Sequence, residues 1–134
     1  MVINTEWGAF GENGALDFVR TKWDHAVDEM SVNPGKQIFE KMISGMYMGE
    51  LVRQVLVDLM KDDLIFFNCN REKLLERGSF YTRYASEIES DPVGDYTRAR
   101  MALQELDIDP DDVTTEDFSS LRYVLKEYII DYNI

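Results

Sequence analysis

The chain has 134 residues, 45% of them hydrophobic, enough for one modest core and too few for two independent domains. Twenty-six acidic against fourteen basic residues give a formal charge of −12, which repels phosphate backbones and anionic membranes and argues against nucleic acid and lipid as partners. A nucleotide stays admissible, because local backbone N–H groups or a divalent cation override a mean field. The single cysteine, Cys69, excludes an intramolecular disulfide and fits a reducing, cytoplasmic setting. No apolar run approaches the ~20 residues of a membrane-spanning helix, and Met1 to Asn4 lacks the basic and apolar regions of a signal peptide.

In chain order, residues 1–7 are β-compatible, and Gly8, Gly11 and Gly14 then interrupt the chain, which predicts a strand entering tight turns. Trp23, Ala26, Val27 and Met30 recur at helical spacing until Asn33-Pro34-Gly35 ends the segment. Residues 36–44 read as a second helix with a break near Ser44-Gly45. The strongest periodicity follows: Met48, Leu51, Val52, Val55, Leu56 and Leu59 form one apolar stripe, with Glu50, Arg53, Gln54 and Asp58 mostly opposite. Leu64-Ile65-Phe66-Phe67 is a short core cluster before a turn at Asn68-Cys69-Asn70. Short helices are expected over 71–76 and 81–89, and a longer one over 95–106 after Pro92 and Gly94. After the break at Asp109-Pro110-Asp111-Asp112, Thr114 and Asp117 offer a capping arrangement for a last helix whose stripe is Phe118, Leu121, Leu125, Tyr128 and Ile129.

Several chemistry-bearing residues lack the company their chemistry requires. His25, near Asp24 and Asp28, is thin evidence for a metal site, and Cys69 has no second thiol or nearby histidine. The run Asp107, Asp109, Asp111, Asp112 lacks the glycine and terminal glutamate of a calcium loop, so a solvated turn is preferred. The glycines at 8, 11 and 14 fit neither a dinucleotide fingerprint nor a phosphate loop. What remains is Asn4, Glu6 and Trp7 at a predicted strand end, followed by Gln37 and Glu40 at a predicted helix start. Two converging carboxylates would grip a polyol, since each charge-assisted bond to a sheltered hydroxyl contributes roughly 1.5–3 kcal/mol. Spacing alone leaves open whether these glutamates converge or are separate surface residues.

The strings Asn4-Thr5-Glu6-Trp7-Gly8-Ala9-Phe10-Gly11, Asn33-Pro34-Gly35-Lys36-Gln37 leading to Phe39-Glu40-Lys41, Gly45-Met46-Tyr47-Met48-Gly49-Glu50-Leu51-Val52-Arg53, and Arg77-Gly78-Ser79-Phe80 onward to Ile88-Glu89-Ser90-Asp91 resemble animal-type hexokinases, in family order, over residues 1–122. The resemblance implies a helix-dominated α+β piece of the large, C-terminal domain of the actin-like, ribonuclease-H-like architecture, with residues 123–134 as a divergent tail continuing a helix. It implies ATP-dependent phosphorylation of glucose or a related hexose at the 6-hydroxyl, with Mg²⁺ on the phosphates. Glu6 and Glu40 are the implied sugar-hydroxyl contacts, with Gln37 beside the anomeric end. Gly45, Met46, Thr82 and Ser86 are the implied nucleotide contacts; Met46 stands where some members have Lys, which keeps the backbone but removes a cation.

The family's catalytic Asp, Thr-Lys sugar contact, phosphate turns and C-terminal glycine-rich segment match nothing in this sequence, so no catalytic residue and no metal ligand is assigned. The expectation is an incomplete hexokinase that is inactive alone, with exposed apolar surface through which it can associate. The alternatives are a truncated, non-catalytic interaction module and a truncated gene model.

Overall fold

A computed structural model of the chain describes residues 1–127. Seven α-helices are described: α1 (Lys22–Glu29), α2 (Ile38–Ile43), α3 (Gly45–Lys61), α4 (Glu72–Leu75), α5 (Thr82–Glu89), α6 (Thr97–Glu105) and α7 (Thr115–Leu125), with 3-10 turns at Trp7–Ala9 and Pro110–Asp112. Helices thus stand where periodicity and punctuation place them; α1, α2, α4, α5 and α6 are up to two residues tighter at their ends, whereas α3 extends beyond its apolar stripe at both ends. The expected helical continuation and apolar residues beyond Glu127 lie outside the described residues.

One expectation is corrected. Residues 1–6 form no strand, and no strand occurs among the described residues, so the α+β expectation reduces here to a helical fold. β-propensity describes how well a residue suits a ladder, and these residues have no described neighbouring strand to supply one.

The long helix α3 is the hub and packs against α1, α2, α4, α5 and α7. Its apolar stripe, with Val52 and Leu56 almost fully buried, joins Ile65, Phe66, Leu103, Leu106, Leu121 and Leu125 in one continuous core. Gly49 makes the α3–α5 contact possible, because a Cβ there would come within 2.7 Å of Thr82 N and 2.9 Å of Tyr81 C. The backbone entering α5 therefore lies against bare helix.

Buried charges tie connecting segments to this core. The Arg53 guanidinium pairs with Glu50 at 2.6 Å and donates to the carbonyls of Leu74 and Leu75 at 3.2 Å each, while Gly78 N–H donates to Glu50 at 2.9 Å. Thr114 and Asp117 form the anticipated capping box on α7, and the other Asp117 oxygen accepts Phe66 N–H at 3.1 Å. One carboxylate thus caps a helix and secures a residue 51 positions away. Asp91 closes the N-terminus of α6 by accepting the N–H groups of Arg98 and Ala99 at 3.0 and 3.2 Å.

Candidate functional site

Residues 4–12 and the start of α2 build a groove outside the main core. Glu6 sits at φ 53° and Gln37 at φ 51°, both left-handed, a conformation uncommon for residues with a Cβ. Each is held by a side chain elsewhere. Asn4 Oδ1 accepts Glu6 N–H at 3.0 Å and its amide donates to the Glu6 carboxylate at 2.5 Å. Glu12 accepts Gln37 N–H at 2.9 Å, and Phe10 C=O accepts Phe39 N–H at 3.1 Å. Two of the N–H groups at the start of α2 are thereby met by the glycine-punctuated N-terminal loop, which docks the loop on the helix. Trp7 and Phe10 flank Phe39 edge-on, with centroids 6.5 and 6.4 Å away.

The groove encloses about 400 Å³, and Glu6, Gln37 and Glu40 all line it. Gly8 forms part of its floor: a Cβ there would collide with Gln37 Oε1 and lie 3.2 Å from Glu40 Cβ and 3.3 Å from Glu40 Oε2. The structure therefore brings together the three side chains singled out in the sequence. Two carboxylates supply acceptors only, while the Gln37 amide both donates and accepts, a set that matches the mixed hydrogen-bonding capacity of a polyol.

The other four residues lie at the next corner of the chain. Ser44, which lines the groove, caps α3 by accepting Met46 N–H at 3.2 Å, so Gly45 and Met46 form the exposed first turn of α3 beside the groove. Thr82 is engaged internally. Its hydroxyl donates to Gly45 C=O and accepts Gly49 N–H at 2.9 Å, pinning α5 to the first turn of α3 and leaving one lone pair for anything else. Ser86, one turn further along α5, is exposed.

Residues outside that set complete the site. Glu12 carried no signal beyond being acidic in a glycine-rich loop, yet it holds Gln37. Asp28 and Lys41, both buried, fix the turn between α1 and α2. Lys41 belongs to a quoted motif, but nothing in its spacing showed that the ammonium turns inward.

Residues set aside earlier fall outside the groove. His25 is exposed on α1. Cys69 is partly buried and 3.5 Å from Asp112 C=O; burial, then the nearby Asp117 and Asp112, push its thiol pKa up, the wrong direction for a nucleophile. Among the described residues no group of three or more His, Cys, Asp or Glu could hold a metal ion, and no helix is long and apolar enough to cross a membrane.

Comparison with known proteins places the chain in a family. The family model for hexokinase matches residues 1–129. Human hexokinase-2 is 53% identical over 109 residues, covering 81% of this chain and 12% of that protein. Mouse hexokinase-1 is 47% identical over 124 residues, covering 92% of this chain and again 12% of the relative. A hexokinase from Schistosoma mansoni, solved in complex with glucose, superposes with a TM-score of 0.83 at 42% identity, over 92% of this chain and 28% of that one. The chain thus spans a small part of its relatives' length, and it belongs to the hexokinase family.

Proposed function

We propose that this chain is a hexose-gripping segment of a hexokinase, in which Glu6 and Glu40 accept hydrogen bonds from sugar hydroxyls and Gln37 reads the anomeric end of glucose or a related hexose. The observation that carries the reading is the groove of about 400 Å³ lined by all three side chains. The glucose bound to the Schistosoma mansoni hexokinase supports a hexose as the occupant. In the complete protein the grip would orient the 6-hydroxyl for transfer of the ATP γ-phosphoryl group, a reaction whose catalysis is mostly positioning and charge stabilisation.

The exposed first turn of α3 with Gly45 and Met46, together with Thr82 and Ser86, forms the nucleotide side of the same reading. These residues fit an ATP contact through backbone and hydroxyl groups; Thr82 would act chiefly by holding Gly45 in place, given its two internal bonds. Mg²⁺ would ride on the ATP phosphates, as it does with substrate phosphates generally, and no ligand for it is assigned to this segment. By itself the 134-residue chain is expected to give no hexose phosphorylation above background in a coupled assay.

Titration of the isotopically labelled chain with glucose, followed by amide NMR, tests the grip. Saturable shifts at Glu6, Gln37 and Glu40, lost in Glu6→Gln combined with Glu40→Gln, are expected. Shifts that persist in the double variant, or none at all, reject it.

A second, non-catalytic reading draws on the apolar recess of about 540 Å³ lined by Trp7, Phe10 and Phe39. There the chain docks on a partner kinase through this face. A monomeric, well-folded species in sizing that recovers no kinase from lysate would count against it.

A further inference from the structure

We propose that the buried Asp28–Lys41 ion pair is a positioning clamp for the hexose groove, fixing the turn that presents Gln37 and Glu40; this rests on the hexose reading given above.

The Lys41 side chain is 3% exposed and that of Asp28 12%. Lys41 Nζ donates to Asp28 Oδ1 at 2.7 Å and to Asn33 C=O at 2.8 Å. Gly35 N–H donates to both Asp28 oxygens at 3.1 Å. The Asn33–Lys36 turn, closed by Lys36 N–H on Asn33 C=O at 3.1 Å, is therefore held at a carbonyl by the cation and at an amide by the anion. Arg20 lies 3.7 Å from Asp28 Oδ2 and adds a second cation.

The residue leaving this turn is Gln37, in its left-handed conformation, and Lys41 follows Glu40 directly on α2. Lys41 turns inward to the pair, whereas Glu40 is exposed and lines the groove. Rotation or slippage of the short helix would carry Glu40 away from Glu6.

Stability alone is a poor explanation for such a pair. Desolvating two charges offsets much of their attraction, and apolar side chains of similar volume commonly pack as well or better. Apolar groups could join α1 to α2, but they could not bond a turn carbonyl and a turn amide together. What the charges add is a fixed backbone position, here immediately before a strained residue of the groove.

The test uses the 134-residue chain, with hydrogen exchange and glucose titration read by NMR. Lys41→Met is the first variant. Asp28→Asn with Lys41→Met is the second, and leaves no unpaired buried charge on that pair. The amides of Lys36 and Gln37, neither of which bonds Lys41, are expected to exchange at least tenfold faster, while those of Leu103 and Leu121 are unchanged. Glucose affinity is expected to fall at least fivefold. Leu103→Ala serves as a destabilised control: a merely structural role would make it weaken glucose binding as much as the clamp variants do.

Unchanged Lys36 and Gln37 exchange in both variants would overturn the clamp. Faster exchange with unchanged glucose affinity would overturn its positioning role. If the unsubstituted chain shows no glucose response, the hexose reading fails, and the two amides alone still decide whether the pair holds the turn.

Discussion

The region from α3 onward and the region preceding it are stabilised by different physics. From Met48 to Leu125 the chain contributes one continuous apolar core, with Val52, Phe66, Leu103 and Leu121 all at 0% exposure. Before α3 the buried apolar residues are only Val27, Ile38 and Met42; Trp7, Phe10 and Phe18 lie 68%, 56% and 84% exposed. The N-terminal region is instead joined by directional polar links: Asn4 to Glu6, Glu12 to Gln37, and Asp28 to Lys41. Apolar packing tolerates small shifts of its members, but hydrogen bonds fix distance and angle. A groove that must present three polar side chains to one ligand is built from the second kind of contact and attached to the first.

Substitutions should separate the two regimes, and the largest effect belongs to the core. Phe66→Ala is expected to cost about 3–5 kcal/mol in urea unfolding, as truncation of a fully buried aromatic does. The same loss from Phe18→Ala, which removes an exposed ring, would contradict the division. Next comes Gly49→Ala, where the new methyl meets backbone rather than a flexible side-chain end, at a cost of about 1–3 kcal/mol. Because this contact aligns α5 with α3, the Thr82 amide resonance should move as well. Retention of full stability would mean that α3 and α5 are not so closely joined.

Gly8→Ala reverses the pattern. Its methyl meets the Gln37 amide oxygen and the Glu40 carboxylate, flexible ends that can swing away, and presses on Glu40 Cβ at 3.2 Å, which needs only a small shift. Unfolding stability should therefore change by less than about 1 kcal/mol. The displaced groups are those proposed to hold the sugar, and glucose affinity should fall about tenfold, ~1.4 kcal/mol. Equal affinity in titration would remove Gln37 and Glu40 from the grip.

Legibility in the sequence follows the same division. The α3 stripe and the α7 capping signal were readable because periodicity and capping are local rules, written within one or two turns. The N-terminal stretch misled: its β-branched residues satisfy a propensity that only a partner strand can realise. For the groove, spacing left the convergence of Glu6 and Glu40 open, and family resemblance named the residues. The inward turn of Lys41 was invisible, since nothing local distinguishes a buried lysine from the exposed Lys36. Glu12 and Gln37 are 25 residues apart, and such a bond is encoded only in how the loop docks.

Acid should show the smallest difference, and it sharpens the comparison by touching both regimes. For Asp28, burial pushes the carboxyl up, but Lys41, Gly35 and Arg20 together outweigh it and hold it below its ordinary range. For Glu50, burial again pushes up, and Arg53, Gly78 and Gln54 outweigh it. A carboxylate depressed in the folded state stabilises fully above its unfolded pKa and loses that contribution as pH falls through the folded one. Both contributions are therefore intact at neutral pH and decline below the usual carboxylate range. Their consequences should differ in place: protonated Glu50 releases Gly78 and the turn after α4, whereas protonated Asp28 releases Gly35 and the turn before Gln37. In an acid titration followed by amide NMR, Gly35 and Gln37 should move while Leu103 and Leu121 hold, because these two leucines pack through apolar side chains that carry no charge to lose. Simultaneous movement of all four would show the groove and the core unfolding as one unit, and the distinction between their stabilising forces would then have no mechanical consequence.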